Sequence, residues 1–272
     1  MSSDTHVKAN LDRAESYIRR AASRGADLVV TPENTALLGP QFHKVECAES
    51  LDGPTATRLS KLAKELQIHL LIGSLAERRI DESGSLDTER CYNTSILFGP
   101  DGVIIERYRK MHLFDVDVPG GLTIKESDSI CPGDELIVAE TSLGKIGMSI
   151  CYDLRFPEMY RALVDAGAEM IAVPSAFTLT TGKDHWHTLL RARAIECQAW
   201  VLAPGQWGQH DAKGMRQSYG HSVIIDPWGH VVADKGHGEG LCYAEIDLDR
   251  VKRVRESIPL SQHRRLNEGK VL

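Results

Sequence analysis

One ten-residue pattern occurs twice in this chain, and it constrains the fold more than any other feature of the sequence. The stretches "RGADLVVTPE" (residues 24–33) and "AGAEMIAVPS" (residues 166–175) both pass from Gly-Ala and an acidic residue through an apolar run to a proline. A segment with helical spacing of apolar residues precedes each copy, so each copy ends a helix–strand unit. Two related units of this kind fit a layered α/β fold in which they supply two sheets.

The remaining chain continues the alternation of helices and strands. No long Pro-, Gly- or Ser-rich linker divides it, so we predict a single domain over residues 1–272. The predicted helices cover residues 10–24, with Asn10 as the N-cap, and residues 55–66, 157–166 and 186–199. The predicted strands cover residues 28–30, 69–73, 91–98, 103–108, 145–151, 169–173, 222–226 and 242–246.

Charge and cysteine content narrow the class of protein. The net charge of −6 is spread along the sequence, which disfavours nucleic acid and membranes as partners and favours a small molecule. The six cysteines are scattered, without a Cys-x-x-Cys pair, as is typical of a reducing compartment. The amino terminus lacks a signal-like segment, and no apolar run approaches the roughly 20 residues that span a bilayer. We therefore expect a cytoplasmic protein.

Three chemically capable side chains follow predicted strands. Cys151 ends the apolar run of "SICYDLRFPE", and Glu33 and Lys110 follow the strands at 28–30 and 103–108. A helix that starts at Pro157 would face Cys151 and lower the pKa of its thiol. Because ligands bind at the carboxyl ends of strands in α/β sheets, the three side chains together suggest a reaction centre. Taken singly, Cys151 is equally well explained as a buried structural cysteine, and each charge as an ordinary edge-of-sheet residue.

These segments carry a family resemblance. "TPENTAL", "RKMHLFD" and "GMSICYDLRFPEMYRAL" resemble, in order and spacing, the Glu, Lys and Cys motifs of the nitrilase, or carbon-nitrogen hydrolase, superfamily. "PSAFTLTTGKDHWHTLLRARAIE", "SYGHSVIIDPWG" and "IPLSQHRR" are similar to its Nit branch, whose members are amidases acting on deaminated glutathione or on ω-amides of α-keto acids. The resemblance implies a four-layer α-β-β-α fold and covers almost the whole chain.

The resemblance also implies a mechanism without metal or organic cofactor. Glu33 would take the thiol proton, Cys151 would attack an amide carbonyl, and Lys110 with the backbone N–H of Tyr152 would hold the oxyanion. Ammonia would leave, and water activated by Glu33 would release the acid from a thioester. Glu126 matches a second glutamate that orients the lysine and the substrate, although a loop carboxylate can also be merely solvated.

Substrate-binding residues are implied in the same way: Tyr152, Arg155, Phe177, Thr181 and His112. The guanidinium of Arg155 could bind a substrate carboxylate with two hydrogen bonds. From spacing alone, an ion pair of Arg155 with Asp153 or Glu158 is as well supported, with Phe177 in the core and His112 as a satisfied polar residue. His185 and His187 suggest no metal site, since residues two apart on a helix diverge and no Cys or acidic partner has ligand spacing.

Several functions and one structural question stay open. "SYGHS", "GEGLC" and "QHRR" favour a deaminated glutathione amidase, and "FDVDVPG" and "LTTG" fit an ω-amidase equally well. An aliphatic nitrilase and a non-catalytic binding or assembly protein are the further alternatives. The family pattern also predicts a homodimer, with the tail after Ile258 crossing between subunits. Relatives usually begin with a strand ahead of the first helix, so we expect either a longer natural reading frame or an open position in the fold.

Overall fold

A computed structural model describes residues 1–81, 83–117, 123–211, 214, 216–267 and 270–271. The "FDVDVPG" segment therefore lies partly outside the described residues. The helices are α1 (Val7–Ala22), α2 (Gln41–Glu46), α3 (Pro54–Leu66), α4 (Pro157–Asp165), α5 (Leu179–Cys197), α6 (Leu248–Ser257) and α7 (Leu260–His263). The strands are β1 (Leu28–Val30), β2 (His69–Ile80), β3 (Leu86–Phe98), β4 (Ile104–Arg109), β5 (Asp115–Asp117), β6 (Thr123–Lys125), β7 (Ile130–Cys131), β8 (Val138–Thr141), β9 (Gly144–Met148), β10 (Met170–Ala172), β11 (Trp200–Ala203), β12 (Trp207–Gln209), β13 (Gln217–Tyr219), β14 (Val223–Ile225), β15 (Val231–Asp234), β16 (Leu266–Asn267) and β17 (Lys270–Val271).

The first sheet has the strand order β1-β2-β3-β4, with β7 beside β3. Residues 70–72 of β2 and 96–98 of β3 are apolar and buried on both faces because each face is covered there. Leu70 and Ile72 of β2 pack in one core with Ile18 of α1 and Leu59 of α3, whereas Leu71 belongs to a different core. Alternate residues of a strand point to opposite faces, so helices α1 and α3 cover one face of this sheet.

The second sheet has the order β15-β14-β11-β10-β9-β8, and β10 pairs in parallel with both β9 and β11. Leu71 and Tyr108 of the first sheet share a core with Ile146 and Met148 of β9. Helices α4 and α5 contact this second sheet, and Trp186 of α5 is buried. The predicted four-layer α-β-β-α arrangement is confirmed. The two copies of the ten-residue pattern supply β1 and β10, one strand to each sheet.

Two predicted helix boundaries are wrong. Helix α1 begins at Val7, and Asn10 lies inside it instead of capping it. The Asn10 amide is buried and donates to the carbonyls of Asp4 at 2.8 Å and Ala36 at 2.9 Å, so its polarity serves tertiary contacts. Helix α5 begins at Leu179, seven residues earlier than predicted, because its first residues are too polar to show an apolar period.

The strand predicted over residues 242–246 is also wrong. These residues form no strand, and they line an apolar groove of about 520 Å³ that runs beside β1. Among the described residues no strand pairs with the edge of β1 opposite β2. Residues 242–246 have the apolar pattern of a strand, but among the described residues they pair with no other strand. A strand needs a hydrogen-bonded neighbour as well as an alternating pattern.

None of the described helices is both long enough and apolar enough to cross a membrane.

Candidate active site

Cys151 opens a tight turn at the end of β9. It is the first residue of a 3₁₀ segment, Cys151–Arg155, and its φ of +50° lies in the left-handed region, which residues other than glycine rarely adopt. Its backbone N–H donates to the carbonyl of Pro174 at 3.0 Å. The rest of the 3₁₀ segment and Phe156 separate Cys151 from helix α4 along the chain.

The buried carboxylate of Asp153 holds this turn. It accepts hydrogen bonds from the Ile150 N–H at 2.8 Å, the Tyr108 hydroxyl at 2.7 Å and the His112 N–H at 3.0 Å. The ring of His112 contacts the same carboxylate at 2.8 Å and stacks on Phe156 with centroids 3.7 Å apart. Among the described residues His112 does not line the cavity that contains Cys151. Its contacts are those of a satisfied polar residue that supports the turn.

Glu33 lies in a turn fixed by threonine hydroxyls. The Thr31 and Thr35 hydroxyls are 2.7 Å apart, and the Thr35 hydroxyl donates to the carbonyl of Pro32. A Cβ at Gly73 would overlap the backbone of Thr31 and Pro32, so only glycine lets β2 approach this closely. The turn buries Glu33 to 3% exposure at the carboxyl end of β1.

Lys110 joins two buried carboxylates. Its ammonium lies 3.0 Å from Glu33 Oε1 and 2.8 Å from Glu126 Oε2, and the residue is 2% exposed. The second oxygen of Glu33 accepts the Ala176 N–H at 2.8 Å, and Glu126 accepts the Phe114 N–H at 2.8 Å. Glu126 is therefore buried and hydrogen-bonded, not a solvated loop carboxylate.

Charge and burial set the protonation of this cluster. Burial disfavours the ammonium of Lys110, but Glu126 and Glu33 outweigh it and raise its pKa well above the ordinary range. Burial likewise opposes ionisation of Glu126, but Lys110 and Lys44 hold its pKa below the ordinary value.

The thiol of Cys151 behaves in the opposite way from the prediction. Burial raises its pKa well above the ordinary value, the hydrogen-bonded Glu33 carboxylate raises it further, and Lys110 only partly opposes them. The expected lowering by a helix terminus is wrong, because desolvation and an adjacent carboxylate dominate.

Asn93 is a residue that the sequence reasoning missed. Its amide donates to Glu33 at 3.0 Å and to Glu126 at 3.3 Å, so it bridges both carboxylates from the middle of β3. The sequence feature that could have identified Asn93 is its amide directly before "TSILF". This end of the strand is otherwise buried and largely apolar.

One cavity of about 410 Å³ is lined by Glu33, Lys110, Glu126 and Cys151 together, and Thr181 also lines it. Its volume suits a small-molecule ligand. The structure thus brings the four predicted catalytic side chains to one place.

The other predicted binding residues lie beside this cavity. The Arg155 guanidinium lies 5.2 Å from the Phe177 ring centroid and 6.0 Å from that of Tyr152, and it contacts His185 at 3.2 Å. Within the described ranges Arg155 makes no ion pair, so the alternative pairing with Asp153 or Glu158 is not seen. Phe177 is buried against Trp186, and neither Phe177 nor Arg155 is among the described residues that line the cavity.

Helix α5 also carries His187, for which the sequence offered no acidic partner. The structure supplies one, since His187 Nε2 lies 2.9 Å from Asp234 Oδ2, and His221 Nδ1 lies 3.2 Å from the same carboxylate. The three ligand atoms lie within 4.8 Å of one another, close enough to hold a cation. None of the three lines the cavity in the described part of the chain, and we give them no role in catalysis.

Comparison with known proteins agrees with this geometry. The carbon-nitrogen hydrolase family matches residues 1–256. A deaminated glutathione amidase from Synechocystis is 44% identical over 97% of this chain and 95% of its own length, and human omega-amidase NIT2 is 38% identical over 94% and 89%. The crystal structure of the C. elegans NitFhit protein superposes with a TM-score of 0.89 at 40% identity, over 97% of this chain but 63% of that one. This chain therefore spans less than two thirds of NitFhit. Matches of this extent and identity show that the chain belongs to the carbon-nitrogen hydrolase family and is a hydrolase of carbon–nitrogen bonds other than peptide bonds.

Proposed function

We propose that this protein uses Cys151 to hydrolyse a small amide that carries a carboxylate, with deaminated glutathione as the first candidate substrate. The observation that supports this best is the single buried cluster of Glu33, Lys110, Glu126 and Cys151 on one cavity. A nucleophile beside a base, with a cation in reach, is the arrangement that acyl transfer needs.

The first half-reaction forms a thioester. Glu33 accepts the thiol proton as Cys151 Sγ attacks the amide carbonyl carbon, and the carbonyl oxygen becomes an oxyanion held by Lys110 and the Tyr152 N–H. As the carbon–nitrogen bond breaks, Glu33 returns the proton to the nitrogen, and the amine leaves. The acyl group remains on sulfur.

The second half-reaction returns the enzyme to its starting state. Glu33 takes a proton from water as the water oxygen attacks the thioester carbonyl, and Lys110 again faces the developing oxyanion. The carbon–sulfur bond then breaks, Glu33 protonates the sulfur, and the acid departs. One carboxylate serves both halves, and Asn93 and Glu126 act as positioning residues for Glu33 and Lys110.

The raised pKa of the thiol fits this cycle. The resting cluster already holds two carboxylates against one ammonium, so a thiolate would add a second uncompensated negative charge. The sulfur is therefore best deprotonated only as it attacks the carbonyl carbon. The negative charge then moves to the carbonyl oxygen, where Lys110 can stabilise it.

The relatives point to two substrates. In deaminated glutathione the amide nitrogen belongs to a dipeptide, so its leaving group is an amine, and the ammonia predicted above would leave only from an ω-amide such as α-ketoglutaramate. Higher identity to the Synechocystis deaminated glutathione amidase favours the first, and the human omega-amidase supports the second. For either substrate, Arg155, beside Tyr152 and Phe177, is the group that we expect to bind the keto-acid carboxylate.

Location and assembly complete the proposal. All six cysteines are unpaired, which supports a reducing, cytoplasmic setting. Exposed Ile195 on α5 and exposed Ile258 and Leu266 in the tail support a homodimer in which these apolar side chains are covered.

The test is release of 2-oxoglutarate, which both substrates share as acyl product. We expect the wild type to release it and Cys151→Ala to lose at least 1000-fold in kcat. Cys197→Ala is the matched control, because that buried cysteine lies outside the cavity. Unchanged turnover in Cys151→Ala would overturn the proposal, and turnover of a nitrile alone would identify a nitrilase instead.

A further inference from the structure

Helix α2 presents two polar side chains to the candidate active site. Gln41 and Lys44 lie one helical turn apart, and both line the cavity that contains Cys151. Neither residue is needed for the steps described above.

Within the described residues, the Lys44 side chain and the side-chain oxygen of Gln41 are buried without visible partners. Lys44 is 7% exposed, and within the described residues no hydrogen bond or ion pair engages its ammonium; the nearby Glu126 acts on it only through charge. The side-chain oxygen of Gln41 is buried and accepts no hydrogen bond in the same part of the chain. Buried polar groups are nearly always paired, so an unpaired ammonium and an unpaired amide oxygen on a cavity wall indicate a ligand with both an anionic acceptor and a hydrogen-bond donor.

The ligand chemistry follows from the two unpaired groups. A carboxylate accepts charge-assisted hydrogen bonds from the Lys44 ammonium, and an N–H next to that carboxylate in the same ligand can donate to the Gln41 side-chain oxygen. Arg216 lines the same cavity and is fixed by its hydrogen bond to the Gly39 carbonyl at 3.1 Å, which adds positive charge beside α2.

Lys44 and Arg155 are cations on different layers of the fold. Arg155 follows Cys151 in the turn after the second sheet, whereas Lys44 lies on a helix that contacts β2 and β3 of the first sheet. We infer that Lys44 binds the carboxylate of the departing amine and that the Gln41 side-chain oxygen accepts an N–H beside that carboxylate, while Arg155 binds the carboxylate of the acyl group. This inference rests on the proposed function and makes the enzyme selective for amides that are anionic at both ends.

The alternative role for Lys44 is a counter-charge to Glu126, since Lys110 alone faces two carboxylates. A counter-charge would affect all substrates equally. A subsite for the leaving group would affect only substrates whose amine carries a carboxylate.

The experiment compares deaminated glutathione with its derivative in which the glycine carboxylate is a carboxamide. We expect the wild type to prefer the carboxylate by at least tenfold in kcat/KM, Lys44→Met to bring the two values within twofold, and Lys44→Arg to keep most of the preference. Lys64→Met, an exposed lysine on α3, is the matched control and should keep the wild-type ratio.

Each other outcome is decisive. If the wild type has similar kcat/KM values for the carboxylate and the carboxamide, the subsite is overturned without any variant, and the proposed function is not affected. An equal loss on both substrates in Lys44→Met assigns the lysine to the counter-charge role and also overturns it. Turnover of neither substrate by the wild type overturns the proposed function, and the subsite with it.

Discussion

Replacement of Asn93 by leucine tests how the two buried carboxylates are held. Leucine keeps the volume but removes the amide that donates to Glu33 at 3.0 Å and to Glu126 at 3.3 Å. Hydrogen bonds to charged groups contribute about 1.5–3 kcal/mol each, and the longer contact belongs at the low end, so we expect a loss of about 3–4.5 kcal/mol in unfolding free energy. For a domain of this size that corresponds to a fall of roughly 6–18 °C in Tm.

The loss should depend on pH with a defined sign. Glu126 has a folded-state pKa below its ordinary value of 4.5, so its contribution to stability is complete above that value and disappears as pH falls through the folded pKa. Without the amide of Asn93 the folded pKa rises, and this contribution is lost at a higher pH. Acid unfolding of Asn93→Leu should therefore begin at a higher pH than that of the wild type.

Urea unfolding followed by circular dichroism, repeated between pH 4 and pH 8, measures both effects. Ser95→Ala is the matched control, because Ser95 is buried in the same strand and donates only to the Ile72 carbonyl at 2.9 Å. The Ser95→Ala variant should lose about 1 kcal/mol in unfolding free energy, and its acid unfolding should begin at the same pH as that of the wild type. If Asn93→Leu matched the wild type in both quantities, the bridging role assigned to this amide would be refuted.

Two further replacements test the turn and the thiol. Gly73→Ala should cost about 3 kcal/mol in urea unfolding and reduce turnover, because the new methyl group overlaps the backbone of Thr31 beside Glu33; wild-type stability would show that the turn can move aside. Glu33→Gln should abolish turnover yet speed alkylation of Cys151 by iodoacetamide at pH 7–8, since it removes a carboxylate that raises the thiol pKa and leaves Lys110, which lowers it. Slower alkylation in this variant would show that Glu33 does not hold the proton on sulfur.

Local pattern predicted the elements that carry the site. The apolar runs that end at Glu33, Lys110 and Cys151 are short and bounded by polar residues or proline, so their ends were readable without tertiary information. The motif resemblance then supplied Glu126, whose loop gives no periodic signal of its own.

Features that depend on distant contacts were not predictable in this way. Asn93 matters because two residues 60 and 33 positions away converge on it. The thiol pKa of Cys151 depends on burial and on Glu33, neither of which its neighbours in sequence reveal. Residues 242–246 have a strand-like pattern, but their conformation depends on whether another strand lies alongside.

The Glu33 carboxylate also ties catalysis to the order in which the molecule assembles. Its oxygens are held by Lys110 and Asn93 of the first sheet and by the Ala176 N–H, which follows β10 of the second sheet and lies 143 positions away in the chain. A folding intermediate with either sheet formed alone would contain helices and strands but no base in place beside the nucleophile. Recovery of activity during refolding therefore reports the docking of the two sheets, and it should lag behind the return of secondary structure.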